Sequence, residues 1–370
     1  MLTAIPHQIS DKVTPVDALQ TAIAAITLPH SQRSIASEKA LISAEVRDNA
    51  LHVVLRFAYP VQHLQDALTL AIAEVTDFAP EQIHLTLNSS IATHKVQQGV
   101  NTINGVKNVI AVASGKGGVG KSTTTTNLAI ALSQMGARVG VLDADIYGPS
   151  QPTMLGVADV KPQQQDGKFI PVRTAGGIQT MSIGFLVDTD QAVVWRGPMV
   201  SQALQQLLFQ SQWDDVDYLF IDLPPGTGDV QLTLSQKIPV TASVIVTTPQ
   251  DIALLDARKA VDMFAKVNIP ILGIVENMAM HVCSNCGHAE AIFGSDGGKK
   301  LSEKLDVPLL AQLPLSLPIR EAMDAGQGTE LHAQQHAIAD LYQQAAWQVV
   351  LKVADMSRDF SGRFPKIVVE

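Results

Sequence analysis

Cysteine is nearly missing from this chain of 370 residues: there are two, and they stand three positions apart at Cys283 and Cys286. So few thiols exclude a disulfide-stapled fold. Charge is sparse at 16% and tilted toward acid, with a formal net charge of −9. No basic arm or stripe offsets that tilt, which argues against a dedicated nucleic-acid binder. No apolar run approaches the ~20 residues a membrane span needs. The opening Met1-Leu-Thr-Ala-Ile-Pro6 lacks a basic region followed by an apolar one, so no signal peptide is expected and the expected location is the cytoplasm. The apolar fraction of 46% suits a buried parallel sheet, and the length suits two or three domains.

Glycine is concentrated in one stretch, Ala113-Ser-Gly-Lys-Gly-Gly-Val-Gly-Lys-Ser-Thr123. Asn108–Val112 before it reads as a buried strand. Leu128, Ala131, Leu132 and Met135 after it recur at helical spacing. Strand, glycine-rich turn and helix are the context a phosphate-binding loop requires, and Gly115 to Ser122 satisfies G-x-x-x-x-G-K-[ST] in full. Gly115, Gly117, Gly118 and Gly120 let the backbone turn its N–H groups inward, toward phosphates that the helix N-terminus also favours. Lys121 is expected to reach the β- and γ-phosphates, and the Ser122 hydroxyl to sit on Mg²⁺.

Two acid-tipped strands accompany that loop. Asp143-Ala-Asp145 ends the strand Arg138–Asp143, a pattern that fits positioning water and organising Mg²⁺. Tyr218-Leu-Phe-Ile-Asp222 is an apolar strand ending in an acid, the Walker B pattern, with Asp222 expected to hold the metal directly or through water. Further strands are expected at 178–183, 242–247, 271–276 and 309–313, alternating with helices near 199–211, 229–237 and 252–266. That alternation predicts an α/β fold with a doubly wound, mostly parallel sheet, whose ligands bind at the carboxyl ends of the strands. A last helix over about 330–355 carries too few cations to serve as a membrane-targeting helix and is expected to pack on the sheet.

The front of the chain reads differently. A helix over 14–27, a hairpin turning at Asp48-Asn49, a helix over about 61–76 and a strand at Ile83–Leu87 predict a compact α+β unit over residues 1–95. Polar residues with two glycines nearby follow and are read as a linker over 96–107, ahead of the phosphate-loop domain at 108–370.

Both cysteines fall in His281-Val-Cys-Ser-Asn-Cys-Gly-His288. Three chemistries suit this segment. The two thiolates and two imidazoles could build a zinc site within one chain. The thiols could form a redox disulfide. Two thiolates from each of two subunits could hold one [4Fe–4S] cluster, which takes four cysteines.

The string Gly-Lys-Gly-Gly-Val-Gly-Lys-Ser-Thr resembles the deviant Walker A loop of the family that includes MinD, ParA, ArsA and the nitrogenase iron protein. The resemblance implies an ATPase acting as a nucleotide-sandwiched homodimer, in which Lys116 reaches the partner's phosphates. It implies nucleotide contacts from Gly115 through Thr123, Val119 included. It also makes Asp143-Ala-Asp-Ile-Tyr-Gly-Pro-Ser150 switch I, with Asp145 orienting the attacking water and Asp143 organising the metal's water shell. Gly226 of switch II would meet the γ-phosphate, and Asn277 the adenine ring. The front unit resembles a SufT-like iron–sulfur assembly domain without its cysteine, which leaves it as a partner-contact module. Together with the Cys-x-x-Cys and Trp195-Arg-Gly-Pro-Met199, the set resembles the Mrp/ApbC family of cluster carriers. That resemblance implies ATP, Mg²⁺ and a [4Fe–4S] cluster as cofactors, and cluster-assembly scaffolds and apo iron–sulfur proteins as partners. Two rivals stand beside it: a MinD- or ParA-like organiser that binds membrane or DNA, and a nucleotide-dependent electron donor. For the carrier, neither membrane nor nucleic acid is an expected partner.

Overall fold

The computed structural model describes residues 16–97, 99–146, 148–185, 197–283, 285–334 and 337–359. The chain divides into two compact units, Met1–Ser90 and Ile91–Glu370.

The first unit runs α1 (Val16–Ala24), β1 (Leu41–Arg47), β2 (Ala50–Phe57), α2 (Gln65–Val75) and β3 (Ile83–Ser89), with β2 central in the sheet. Asp48 and Asn49 both take left-handed φ, +49° and +60°, the geometry that two-residue hairpin turns favour and these residue types tolerate. Leu51, Val53, Leu55 and Phe57 alternate inward on β2 and are buried, so period-2 patterning sets the face that α1 and α2 cover. Gln62 and Gln65, at the start of α2, donate to the carbonyls of Leu87 and Leu85 (3.2 and 3.0 Å) and so occupy acceptors on the β3 edge.

The second unit is built on eight strands. It contains β4 (Val106–Ala113), α3 (Lys121–Gln134), β5 (Val139–Asp143), α4 (Gln151–Met154), a small hairpin β6–β7 (Gln163–Gln165, Lys168–Ile170), β8 (Val172–Arg173) and β9 (Gln179–Ser182). Next come α5 (Gly197–Phe209), β10 (Val216–Asp222), α6 (Asp229–Lys237), β11 (Ala242–Thr247), α7 (Asp251–Lys266) and β12 (Ile271–Glu276). The hairpin β13–β14 (His281–Val282, Ala289–Glu290), α8 (Gly297–Leu305), β15 (Leu309–Gln312), α9 (Leu317–Asp324), α10 (Gly328–Ala333) and α11 (Ala337–Ala354) complete it. The strand order is β15-β12-β11-β4-β10-β5-β9-β8, and every neighbouring pair is parallel except β8–β9 at one edge.

Central strands such as β5 and β10 are buried at every position, as a sheet covered on both faces requires. The register aligns Asp222 on β10 with Asp143 on β5 and with Val112 on β4, so both acids finish beside the loop that leaves β4. This is the α/β sheet expected from the alternation of elements. Three features depart from the sequence reading. The edge hairpin β6–β7 and the strand β8 are two or three residues long, too short to carry a readable period. The expected last helix is two helices, α10 and α11. The polar stretch read as linker is tied down on the second unit. Just ahead of it His94, expected in the front unit, is buried with its Nδ1 2.9 Å from Asn108 Oδ1, and within it Gln97 donates to the Ser235 carbonyl and accepts from the Val240 N–H (2.8 and 2.9 Å). Its polar side chains satisfy backbone groups rather than water, which composition alone does not distinguish.

Candidate functional site

Close packing forces glycine at two loop positions. A Cβ on Gly115 would stand 2.1 Å from the carbonyl carbon of Asp256 on α7, and one on Gly120 would stand 2.1 Å from Asn277 Nδ2. Gly120 also takes φ +82°, where a side chain is strained in any case. The loop rims a cavity of about 230 Å³ that Lys116, Gly117, Gly118, Gly120, Lys121, Ser122 and Thr123 line together with Asp145 and Ser150. Val119 points away into the core and is 2% exposed.

Lys121 and Asp222 form the centre of the polar network. The Lys121 Nζ stands 2.5 Å from Asp222 Oδ1, 3.3 Å from Ser122 Oγ and 3.7 Å from Asp145 Oδ2. Asp222 is fully buried and also accepts from Thr125 Oγ1 (3.2 Å) and Gln151 Nε2 (3.0 Å). A buried carboxylate needs such partners, because desolvation otherwise outweighs its charge interactions. Lys116 is half-buried on the same cavity, and no ion-pair partner for its ammonium occurs among the described residues.

Asp143 is also fully buried, but its oxygens face the chain that follows it. They accept from the Asp145, Ser150 and Gln151 N–H groups (3.1, 2.9 and 3.0 Å) and from Ser182 Oγ (3.2 Å). Burial, then the neighbouring Asp222 charge, push its carboxyl up to about 7, against backbone donors that favour the ionised form. In this arrangement Asp143 shapes the switch loop and Asp145 faces the cavity. The Gly226 N–H donates to the Ser114 carbonyl (2.9 Å), so meeting a γ-phosphate requires that bond to open. Asn277 donates from Nδ2 to the Val119 carbonyl (2.9 Å), a clamp on the phosphate loop itself.

Three participants were missed from sequence. Thr125 lies one turn beyond Lys121, while Ser150 and Gln151 close the switch segment. The helical repeat places Thr125 beside Lys121, but nothing in the sequence announces that Gln151 reaches the Walker B acid across 71 positions. Trp195 and Arg196 of the segment singled out above lie outside the described residues, and its Gly197–Met199 opens α5.

The cysteine segment folds as a hairpin rather than an open loop. β13 and β14 pair antiparallel, with His281 opposite Glu290 and Val282 opposite Ala289. Beyond them the Cys283 N–H donates to the His288 carbonyl (2.9 Å), the Gly287 N–H donates to the Cys283 carbonyl (2.8 Å), and Gly287 takes φ +73°. Backbone N–H groups of Cys286 and Asn285, with the Cys286 thiol, hold the Cys283 thiol below its ordinary pKa, which favours the thiolate that ligates metals. Both thiols are free; Cys286 is exposed and Cys283 half-buried. Among the described residues, no group of three or more His, Cys, Asp or Glu is gathered as a metal site.

Residues 105–350 match the family model described as ParA: NUBPL iron-transfer P-loop NTPase. The chain belongs to that family. As a member it is a P-loop ATPase. An iron–sulfur cluster carrier protein of Pseudomonas fragi is 56% identical over 75% of this chain and 97% of its own length. A nucleotide-binding protein of Archaeoglobus fulgidus, solved with ADP, is 36% identical over 64% of this chain and 92% of its own, with a TM-score of 0.57. The cell-division ATPase MinD of Pyrococcus furiosus shares the fold at 23% identity, over 66% of this chain and 98% of its own, with a TM-score of 0.50.

Proposed function

We propose that this ATPase carries a [4Fe–4S] cluster between the Cys283–Cys286 pairs of two subunits and delivers it to apo iron–sulfur proteins. One observation carries the reading. The phosphate-loop unit also bears an exposed hairpin with two free thiols, that of Cys283 held toward the thiolate form, and among the described residues no further ligands are gathered beside them. A cluster that takes four thiolates is then completed by a second copy of the same hairpin. Met280, Val282, Leu315 and Leu317 around its base are 38–55% exposed, an apolar surface suited to such a contact. The cluster is cargo, so partial exposure of its ligands serves release.

At the nucleotide, ATP would seat its phosphates on the backbone N–H groups from Gly117 to Thr123, with Lys121 on the β- and γ-oxygens. The residues present fit Mg²⁺: the Ser122 hydroxyl lines the cavity and the Asp222 carboxylate stands behind it. Asp145, also on the cavity, would orient the water that attacks the γ-phosphorus as ADP leaves. Lys116 is the residue in this loop free to meet a second subunit's phosphates. Nucleotide state and cluster exposure would then be linked through the subunit arrangement that each favours.

The test separates the two sites. Lys121→Ala should abolish ATP turnover while the purified protein still takes up iron and sulfide. Cys283→Ala should do the reverse. If the thiol substitution left iron uptake unchanged, the carrier reading would fail.

A further inference from the structure

A second cavity of this unit lies outside the nucleotide site. About 490 Å³ opens between α7, α8 and the Phe293–Ser295 segment, which follows the cysteine hairpin directly. Both helices present one full stripe to it. Asp251, Leu254, Leu255 and Arg258 stand at i, i+3, i+4 and i+7 on α7; Gly297, Lys300, Leu301 and Lys304 repeat that spacing on α8. Glycine at 297 is what lets the helices approach, since a Cβ there would stand 2.6 Å from the Pro249 carbonyl oxygen and 2.8 Å from Leu254 Cδ1.

The chemistry of the cavity is amphipathic and cationic. Leu254, Leu255, Phe293 and Leu301 supply the apolar lining, while Arg258, Lys300 and Lys304 are exposed along it. None of the three cations has an ion-pair partner among the described residues, and Asp251 is the one acid in the lining. A net positive cavity on a chain of net charge −9 is a local reversal, complementary to an acidic surface. The apolar surface continues outward, with Leu255 61% exposed and Ile252, one turn earlier on α7, 70% exposed. A small anion would leave that surface uncovered; an acidic peptide segment carrying an aliphatic or aromatic side chain would cover both.

We infer that this cavity docks an acidic, apolar-anchored segment of the protein that receives the cluster, holding it next to the cysteine hairpin. The inference rests on the carrier reading above. Its test is the second-order rate of cluster transfer from the reconstituted wild-type protein to apo-aconitase, against the triple variant Arg258→Glu, Lys300→Glu, Lys304→Glu. Lys161→Glu, Lys168→Glu, Lys237→Glu, which makes the same charge change away from the cavity, is the control. The cavity variant should keep wild-type ATP turnover, iron content and mass in solution, and transfer about tenfold more slowly at low salt, with the gap closing as salt rises. The control should transfer within about twofold of wild type. Equal rates for the two variants would overturn the docking site. Loss of the dimer in the cavity variant would overturn it as well, by assigning the cavity to the subunit contact. Failure of the wild-type protein to transfer at all would instead count against the carrier reading.

Discussion

The phosphate loop and the cysteine hairpin sit in one unit and are held in opposite ways. Around the loop, Lys121, Asp143 and Asp222 are almost wholly buried, and Asp143 and Asp222 each accept from several donors. Its position follows from strand register, since β4, β5 and β10 end side by side. The hairpin has two residues per strand, an exposed Cys286, and an anchor at its base, where the Leu315 N–H donates to the Met280 carbonyl (2.7 Å). The nucleotide site is thus preorganised by the fold, as transition-state stabilisation demands. The thiols sit where local opening is cheap, as cargo exchange demands.

Removing the loop cation is expected to give the largest effect. Lys121→Ala should lower kcat for ATP hydrolysis by about 10²–10³-fold. Iron uptake by reconstitution should stay near wild type, because no hairpin group depends on Lys121. Loss of both functions together would break the contrast between the regions.

Cys286→Ala should abolish iron retention while shifting the thermal midpoint by no more than about 2 °C, since an exposed thiol contributes little to packing. A large fall in midpoint by calorimetry would make the hairpin a structural centre instead.

Acid sharpens the comparison. His332 on α10 is buried against Asn127 of the phosphate-loop helix, with its ring Nε2 2.8 Å from Asn127 Oδ1, and burial holds its pKa down from 6.5 to about 4. The unfolded chain therefore binds the proton first, and the stability this group contributes is present above about 6.5 and lost as pH falls toward 4. The loss at pH 4 is up to about 3 kcal/mol, and His332→Gln should flatten that part of a denaturant-unfolding profile.

Asn277→Ala should have the smallest effect. It removes the clamp on the Val119 carbonyl and should cost about 1–2 kcal/mol of stability. The loosened loop should raise KM for ATP more than it lowers kcat, as steady-state kinetics will read directly. An unchanged KM beside a large fall in kcat would place Asn277 in the chemical step.

The fold was legible because parallel strands buried on both faces leave near-continuous apolar runs, and Tyr218–Asp222 and Ala242–Thr247 are such runs. The phosphate loop was legible because glycine is required where backbone packs against Gly115 and where Gly120 takes a left-handed φ. What escaped is what depends on long-range polar pairing. Gln151 meets Asp222 only after β5 and β10 are in register, and Gln97 reads as linker until Ser235 and Val240 are beside it. The knuckle-like turn of the hairpin escaped too, because two-residue strands carry no periodicity.

The central claim is that the two thiols of one chain are half of a ligand set. Anaerobic reconstitution with iron and sulfide, followed by metal analysis and mass in solution, tests it most directly. The account predicts about four irons and four sulfides per dimer, absent in Cys283→Ala. One zinc held per chain and unmoved by iron would contradict it.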